Sequence, residues 1–324
     1  MSPQTSKAAA LTEQDFSVAD NLAEILEGLS RTQKSLSPKF FYDARGSKLF
    51  DDICELPEYY LTKTELAIMR AHIDDMAALV GPQASLIEFG SGSSLKTRIL
   101  LDGLDRLAAY VPVDISREHL MAAAESLAAD YPDIEVWPVL ADFMQPFKLP
   151  SPSVMPLRNI VYFPGSTIGN FSPEKAHSLL TVMHEEAGED GALLIGVDLQ
   201  KDKAVIERAY NDSAGVTAEF NLNVLSRINT EFGANFDVDL FRHHALYNEE
   251  HGRIEMYLIS ECEQTVHIGH RSFSFEKGES ILTEHSHKYT LEQFGNMAHR
   301  AGFAVDTVWT DPEALFSVQY CRRI

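Results

Sequence analysis

Apolar residues follow two rhythms along this chain, and the places where one gives way to the other predict its elements. The first twenty or so residues are polar and read as a loose arm leading into a helix at 19–30. Leu66, Ile68, Met69, Ile73 and Met76 recur at helical spacing, so 62–79 is predicted helical, with Thr62 or Thr64 able to cap its start. Short apolar runs then alternate with helical stretches. Strands are predicted at 86–90, 109–113, 134–139, 158–163 and 192–199, and helices at 96–108, 117–131 and 173–187. Beyond Leu199 the rhythm changes: a helical piece at 204–221, continuing toward 231, precedes alternating runs at 245–262 and 263–275 and a last run at 280–286. These runs read as antiparallel strands joined by turns. A helix at 291–301 and strands at 304–310 and 315–321 follow. The predicted fold is α/β: a seven-stranded, Rossmann-like sheet whose last strand is antiparallel, interrupted by an α+β insertion.

Composition narrows the class. The chain has 324 residues, 45% of them hydrophobic, enough for one large or two modest domains. A net charge of -21 argues against nucleic acid or an anionic membrane as partner, since both reward clustered Lys and Arg. No apolar run is long enough to span a bilayer, and the N-terminus lacks the charged-then-apolar pattern of a signal peptide. Cys54, Cys262 and Cys321 stand far apart without a CxxC, which suits a reducing compartment. The expectation is a cytoplasmic, monomeric protein acting on a small molecule. His243, His244, His270, His285 and His287 lack metal-ligand spacing, so no metal is expected.

The stretch from Leu86 to Asp114 carries the first chemistry. A strand enters the turn Gly90-Ser91-Gly92-Ser93, a helix follows, and the next strand ends on Asp114. Glycines let a nucleoside cofactor approach the backbone, and an acid at the second strand tip accepts from two ribose hydroxyls. No third glycine follows three residues on, so the dinucleotide fingerprint fails and an NAD-linked oxidoreductase is disfavoured; no Gly-Lys-Ser/Thr follows either. Glu88 before the first glycine and an acid on the next strand suit S-adenosylmethionine better. Asp142 followed by Phe143, at the end of the third strand, is where such a site grips and covers an adenine. The stretch 35–60 sets six aromatic residues among prolines and acids. Some pack as core, but Tyr42, Tyr59 and Tyr60 carry hydroxyls that need partners if buried.

Along nearly its whole length the chain resembles the histidine N-alpha-methyltransferases of ergothioneine biosynthesis. The matching stretches are LSPKFFYDARGSKLFDDICELPEYY, IEFGSGSSLKTRILLD, FPGSTIGNF, AYNDSAGVTAEFNLNVL, RIEMYL and ILTEHS. The resemblance implies a class I methyltransferase domain at 63–200 and 287–324 that binds S-adenosylmethionine, and a substrate-binding domain at 1–62 and 201–286. It implies transfer of three methyl groups to the α-amino nitrogen of L-histidine, giving hercynine. The cofactor residues it implies are Gly90, Lys96, Asp114, Asp142, Phe143 and Gly165; Lys96 also reads as a solvated helix lysine.

On the substrate side the resemblance implies Tyr42, Tyr59, Asn170, Tyr210, Met256, Glu284 and Ser286, with Tyr42 and Asn170 nearest the chemistry. Asn170 would hold the amino acid through its carboxylate or amine, a neutral amide avoiding repulsion there; capping the next helix is its ordinary alternative. Tyr59 is preferred to Tyr60 on register alone. Met256 would pack against the imidazole, although a strand methionine is commonly core. Glu284 and Ser286 lie two apart, so on an extended strand both point to one face, where a carboxylate and a hydroxyl grip imidazole nitrogens. The reaction needs a neutral amine lone pair; a tyrosine hydroxyl, a water, or binding of an already neutral amine would each supply it. Two other readings compete: a methyltransferase of the same fold acting on another amino acid such as tryptophan, and a non-catalytic S-adenosylmethionine-binding subunit.

Overall fold

A strand buried on both faces is largely apolar, and Ala84–Phe89 and Ala192–Asp198 are buried at every position, with Ser85, Glu88 and Asp198 as their polar residues. They lie inside the larger sheet of a computed structural model that describes residues 11–13, 18–92, 95–145 and 147–324. The chain forms two compact units. Leu61–Gln200 and Lys288–Ile324 make one, with the Thr12–Glu13 strand; the segment up to Tyr60 and Lys201–His287 make the other.

In the first unit the sheet runs Thr12–Glu13, Val139–Leu140, Ala109–Asp114, Ala84–Phe89, Arg158–Phe163, Ala192–Asp198, Phe316–Arg323, Phe303–Thr310. Phe316–Arg323 is antiparallel to both neighbours, and the strands from Val139–Leu140 to Ala192–Asp198 are parallel. Ile87, Val111, Val161 and Leu193 from the strands meet Leu179, Met183 and Phe294 from the helices in one core. From Ala84–Phe89 the chain winds one way to Ala109–Asp114 and the other way to Arg158–Phe163. The loops after these strands therefore open at a topological switch point, where such sheets bind ligands.

Several elements differ from the sequence reading. The third strand is two short pieces, Glu135–Val136 and Val139–Leu140, because Pro138 between them has no N–H for the ladder. The helix after the glycine turn spans Leu95–Gly103, not 96–108; a Cβ on Gly103 would overlap Ile73. Thr62 and Thr64 cap nothing: the helix starts at Tyr60, runs to Val80, kinks at His72 and buries Thr62. Thr12–Glu13 pairs in parallel with Val139–Leu140, so this piece of the predicted arm belongs to the first unit and not with the substrate domain. Most of the predicted arm, and Ser93 of the glycine turn, lie outside the described residues.

The second unit has a four-stranded sheet, Lys34–Ser35, Ser280–His287, Arg253–Ser260, Phe241–Asn248, and a separate hairpin of Gln264–Ile268 with Arg271–Phe275. Its helices include Ala44–Glu55, Lys203–Tyr210 and Val216–Phe232. The last two replace the single predicted helix at 204–221. Asp212 ends the run by accepting the backbone N–H groups of Val216 and Thr217 at 2.9 and 2.8 Å, and Gly215 turns the chain at φ +78°. Between Arg253–Ser260 and Ser280–His287 the register passes from Met256↔Glu284 to Tyr257↔Leu282. Thr283 is the extra residue of a β-bulge, and the bulge turns Glu284 and Ser286 to the face that carries Ile281 and Met256.

Candidate active site

The first unit gathers its unusual residues at the carboxyl ends of the parallel strands. Gly90 and Gly92 hold φ of +74° and +43°, conformations that resist a side chain. Glu88, just before them, is buried, and its Oε2 accepts from the Thr97 hydroxyl at 2.7 Å and the Tyr110 hydroxyl at 2.5 Å. Burial pushes its carboxyl up to about 8 against the pull of those two hydrogen bonds. Asp114 ends the next strand with Oδ1 accepting the Ser116 N–H at 2.9 Å; burial raises it too, opposed by backbone N–H groups. Asp142 Oδ1 accepts the Met144 N–H at 3.0 Å, which fixes the turn that carries Phe143. The Phe143 ring stacks on Phe89 with centroids 5.4 Å apart and stands edge-on to Phe163 at 5.8 Å.

Lys96 does not wave in solvent. Its ammonium lies 2.5 Å from the buried Glu65 carboxylate. Both Glu65 oxygens also accept the Gly165 N–H, at 3.1 and 3.0 Å. Gly165 has φ +77°, and a Cβ there would stand 3.3 Å from Lys96 Nζ. Gly196 lacks a side chain because one would overlap Glu65. The next residue after Gly165, Ser166, adopts the left-handed conformation, and its hydroxyl accepts the Asp198 N–H at 2.9 Å. Asn170 closes the short Thr167–Asn170 turn. It does not cap the following helix: Ser172 does, accepting the Lys175 N–H at 3.3 Å.

The second unit brings six of the predicted substrate residues together. The Tyr210 hydroxyl and Ser286 Oγ are 2.8 Å apart. Tyr59 is buried edge-on to Tyr210, centroids 6.2 Å apart, and edge-on to Phe50 at 6.3 Å. Burial raises its phenol well above the ordinary value, and the nearby Tyr210, Cys54, Glu284 and Tyr42 add to the rise. Tyr42 stands edge-on to Phe50 and Phe220, each at 5.9 Å. Asp43 beside it caps Ala44–Glu55 and accepts the Asn223 amide at 2.9 Å, which ties this segment to the Val216–Phe232 helix. Met256 and Glu284 are direct cross-strand partners and both buried. Tyr60 has a different role from Tyr59: its hydroxyl accepts from Lys201 Nζ at 2.7 Å, and that ammonium sits 4.4 Å from its ring centroid.

A family model described as a histidine-specific, SAM-dependent methyltransferase matches residues 21–323. The chain belongs to this family. A protein of Mycolicibacterium smegmatis named Histidine N-alpha-methyltransferase is 40% identical over 320 residues, covering 95% of this chain and 98% of its own. One of the same name from Mycobacterium tuberculosis is 40% identical over 306 residues, 93% of this chain and 94% of its own. A Neurospora crassa protein named Ergothioneine biosynthesis protein 1 is 30% identical over 317 residues, 95% of this chain but 36% of its own length.

As a methyltransferase of this family the chain uses S-adenosylmethionine, and the strand-end residues suit it. Two positive-φ glycines, Gly90 and Gly92, leave one turn without side chains at those two positions, Asp114 offers a carboxylate at the second strand tip, and Lys96 and Gly165 meet where a side chain would intrude. Among the described residues no His, Cys, Asp and Glu side chains group to hold a metal, and no helix is long and apolar enough to cross a membrane. Sequence reasoning overlooked Glu65, although a lone carboxylate between apolar helical neighbours was a visible signal. It gave no role to Asn221, although that residue lies in the matching stretch AYNDSAGVTAEFNLNVL, and it weighed His243 only as a metal ligand; both are held inside the second unit.

Proposed function

We propose that this methyltransferase carries three methyl groups in succession to the α-amino nitrogen of L-histidine, giving hercynine, a step of ergothioneine biosynthesis. The observation that carries the reading is the bulged strand that sets Glu284 and Ser286 on one buried face with Tyr210 against Ser286, in a chain of a histidine-specific family. A carboxylate and a hydroxyl two residues apart match the two nitrogens of an imidazole, one donating and one accepting. The names of the mycobacterial relatives support the same acceptor.

Gly90, Lys96, Asp114, Asp142, Phe143 and Gly165 are the residues we assign to S-adenosylmethionine, which when bound supplies an electrophilic methyl group on a sulfonium. The other assignments concern the acceptor. Glu284 accepts the imidazole N–H, Ser286 and Tyr210 complete the polar edge, and Met256 and Tyr59 give the ring apolar walls. On the resemblance to the family we assign the Tyr42 phenol and the Asn170 amide to the amino-acid end of the acceptor, two neutral groups that add no second anion beside its carboxylate. Most of the rate gain then comes from positioning and from excluding water. We further propose a monomer in the cytoplasm, on the sequence ground that three widely spaced cysteines without a CxxC suit a reducing compartment.

Mass spectrometry of the purified protein with S-adenosylmethionine and a panel of free amino acids tests the proposal. Successive additions of one, two and three methyl groups to histidine alone are expected. Turnover of another amino acid with histidine untouched would overturn the acceptor while leaving the family and cofactor in place. Glu284→Ala is expected to cut kcat/KM for histidine by roughly 100-fold, because a buried imidazole N–H then lacks its acceptor.

A further inference from the structure

Asn221, on the Val216–Phe232 helix, is fully buried and sits at the centre of a closed set of hydrogen bonds in the second unit. Its Nδ2 donates to the Tyr257 carbonyl at 3.1 Å and faces His243 Nδ1 at 2.9 Å. Its Oδ1 accepts from the Thr283 hydroxyl at 2.7 Å. Each role is forced by the next. The Tyr257 carbonyl can only accept, so it fixes which side of the amide carries the hydrogens. His243 Nδ1 must then accept, the ring hydrogen lies on Nε2, and Nε2 donates to the Tyr210 carbonyl at 2.9 Å.

The ends of this set are the backbone of the acceptor residues. Thr283 is the bulge residue immediately before Glu284, and its hydroxyl also lies 3.1 Å from the Met256 carbonyl. Tyr257 follows Met256. Tyr210 is the residue whose phenol meets Ser286. We propose that Asn221 is a positioning residue for acceptor recognition: through Thr283 and His243 it holds the Met256 and Glu284 strands and Tyr210 in one fixed arrangement. The inference rests on the histidine reading above. The physical need for such a clamp lies in the bulge itself. An extra residue can move along its strand, and a shift by one position turns Glu284 to the opposite face and removes the carboxylate from the acceptor. Pinning Thr283 by its side chain from a neighbouring helix blocks that shift, and the same asparagine fixes Tyr210 from the other side.

Steady-state kinetics of Thr283→Val and Thr283→Ser test it, with Asn221→Asp as a second probe. Valine matches threonine in shape and lacks only the hydroxyl. Thr283→Val is expected to raise KM for histidine about tenfold, the loss of one buried hydrogen bond, with the dissociation constant for S-adenosylhomocysteine unchanged. Thr283→Ser keeps the hydroxyl and is expected to stay within twofold of the wild type. Asn221→Asp sets an oxygen against the Tyr257 carbonyl and is expected to be worse than Thr283→Val. The inference is overturned if Thr283→Val leaves KM within twofold, if Thr283→Ser loses as much as valine, or if cofactor affinity falls in step with KM. Failure of the histidine reading shows earlier and separately, as a wild type that does not methylate histidine, and takes this inference with it.

Discussion

Glu88 is held where an ionised carboxylate has little to gain. It is 2% exposed and its two side-chain partners are hydroxyls; burial outweighs those hydrogen bonds and the attraction of the Lys96 ammonium, and Asp114 nearby adds a smaller like-charge push in the same direction as burial. With the carboxyl at about 8 in the fold and near 4.5 in the unfolded chain, folding takes up a proton between those values. The stability it contributes is therefore complete below pH 4.5 and is lost as pH rises through about 8. The shift corresponds to an upper bound of roughly 5 kcal/mol. Thermal unfolding of the cofactor-free protein should show a midpoint that falls from pH 5 to pH 8, and Glu88→Gln should flatten that fall. Equal slopes in the two proteins would mean that Glu88 is ionised in the fold. Glu65 has different partners: its carboxylate faces an ammonium and a backbone N–H. Glu65→Gln keeps an acceptor for Gly165 but strips Lys96 of its counter-charge. It should weaken S-adenosylhomocysteine binding by roughly tenfold by calorimetry, with much less effect on KM for histidine. Unchanged cofactor affinity would remove Glu65 and Lys96 from the cofactor site.

At the scale of elements the break between Lys203–Tyr210 and Val216–Phe232 matters most, because Tyr210 stands at its edge. The Asp212 carboxylate accepts the first two N–H groups of the second helix, whose N-cap position is Gly215. Asp212→Ala should cost about 1 kcal/mol of stability and, by loosening the turn after Tyr210, lower kcat/KM for histidine. Asp212→Asn, which keeps an acceptor, should recover most of both; equal losses in the two variants would show that the charge and not the hydrogen bonding matters. The sequence reading ran a helix through this point for a physical reason. Apolar residues continue at helical spacing on both sides of Asn211-Asp212-Ser213-Ala214-Gly215, and periodicity alone outweighed a five-residue stretch rich in turn formers. The α/β alternation was easier to read, since helices alternate with apolar runs that only a covered sheet would need. Glu284 and Ser286 were correctly set on one face of a strand. The bulge at Thr283 was not legible, because an extra residue leaves no mark in an alternating pattern until the partner strand is known.

Across the whole molecule, the chain leaves the first unit at Gln200 and re-enters it at Lys288, so two segments far apart in sequence must be held side by side. Leu199 and Tyr289 pair as a parallel bridge, and the Gln200 side chain donates to the Lys288 carbonyl at 3.2 Å. Between them Lys288 Nζ meets Asp198 Oδ2 at 2.7 Å with both side chains fully buried. In a chain of net charge -21, a buried lysine at this position has no ordinary surface role. Burying both ions costs much of what their attraction returns, so the pair is a weak source of stability but a strong penalty when halved. Lys288→Met alone should therefore destabilise by roughly 3–5 kcal/mol, since it removes the cation that faces a buried carboxylate. Asp198→Leu combined with Lys288→Met should recover most of that loss. Urea unfolding of the two variants and the wild type decides the matter. A double variant as unstable as the single one would mean that the ion pair itself, and not the avoidance of a lone buried charge, holds the exit and entry segments together.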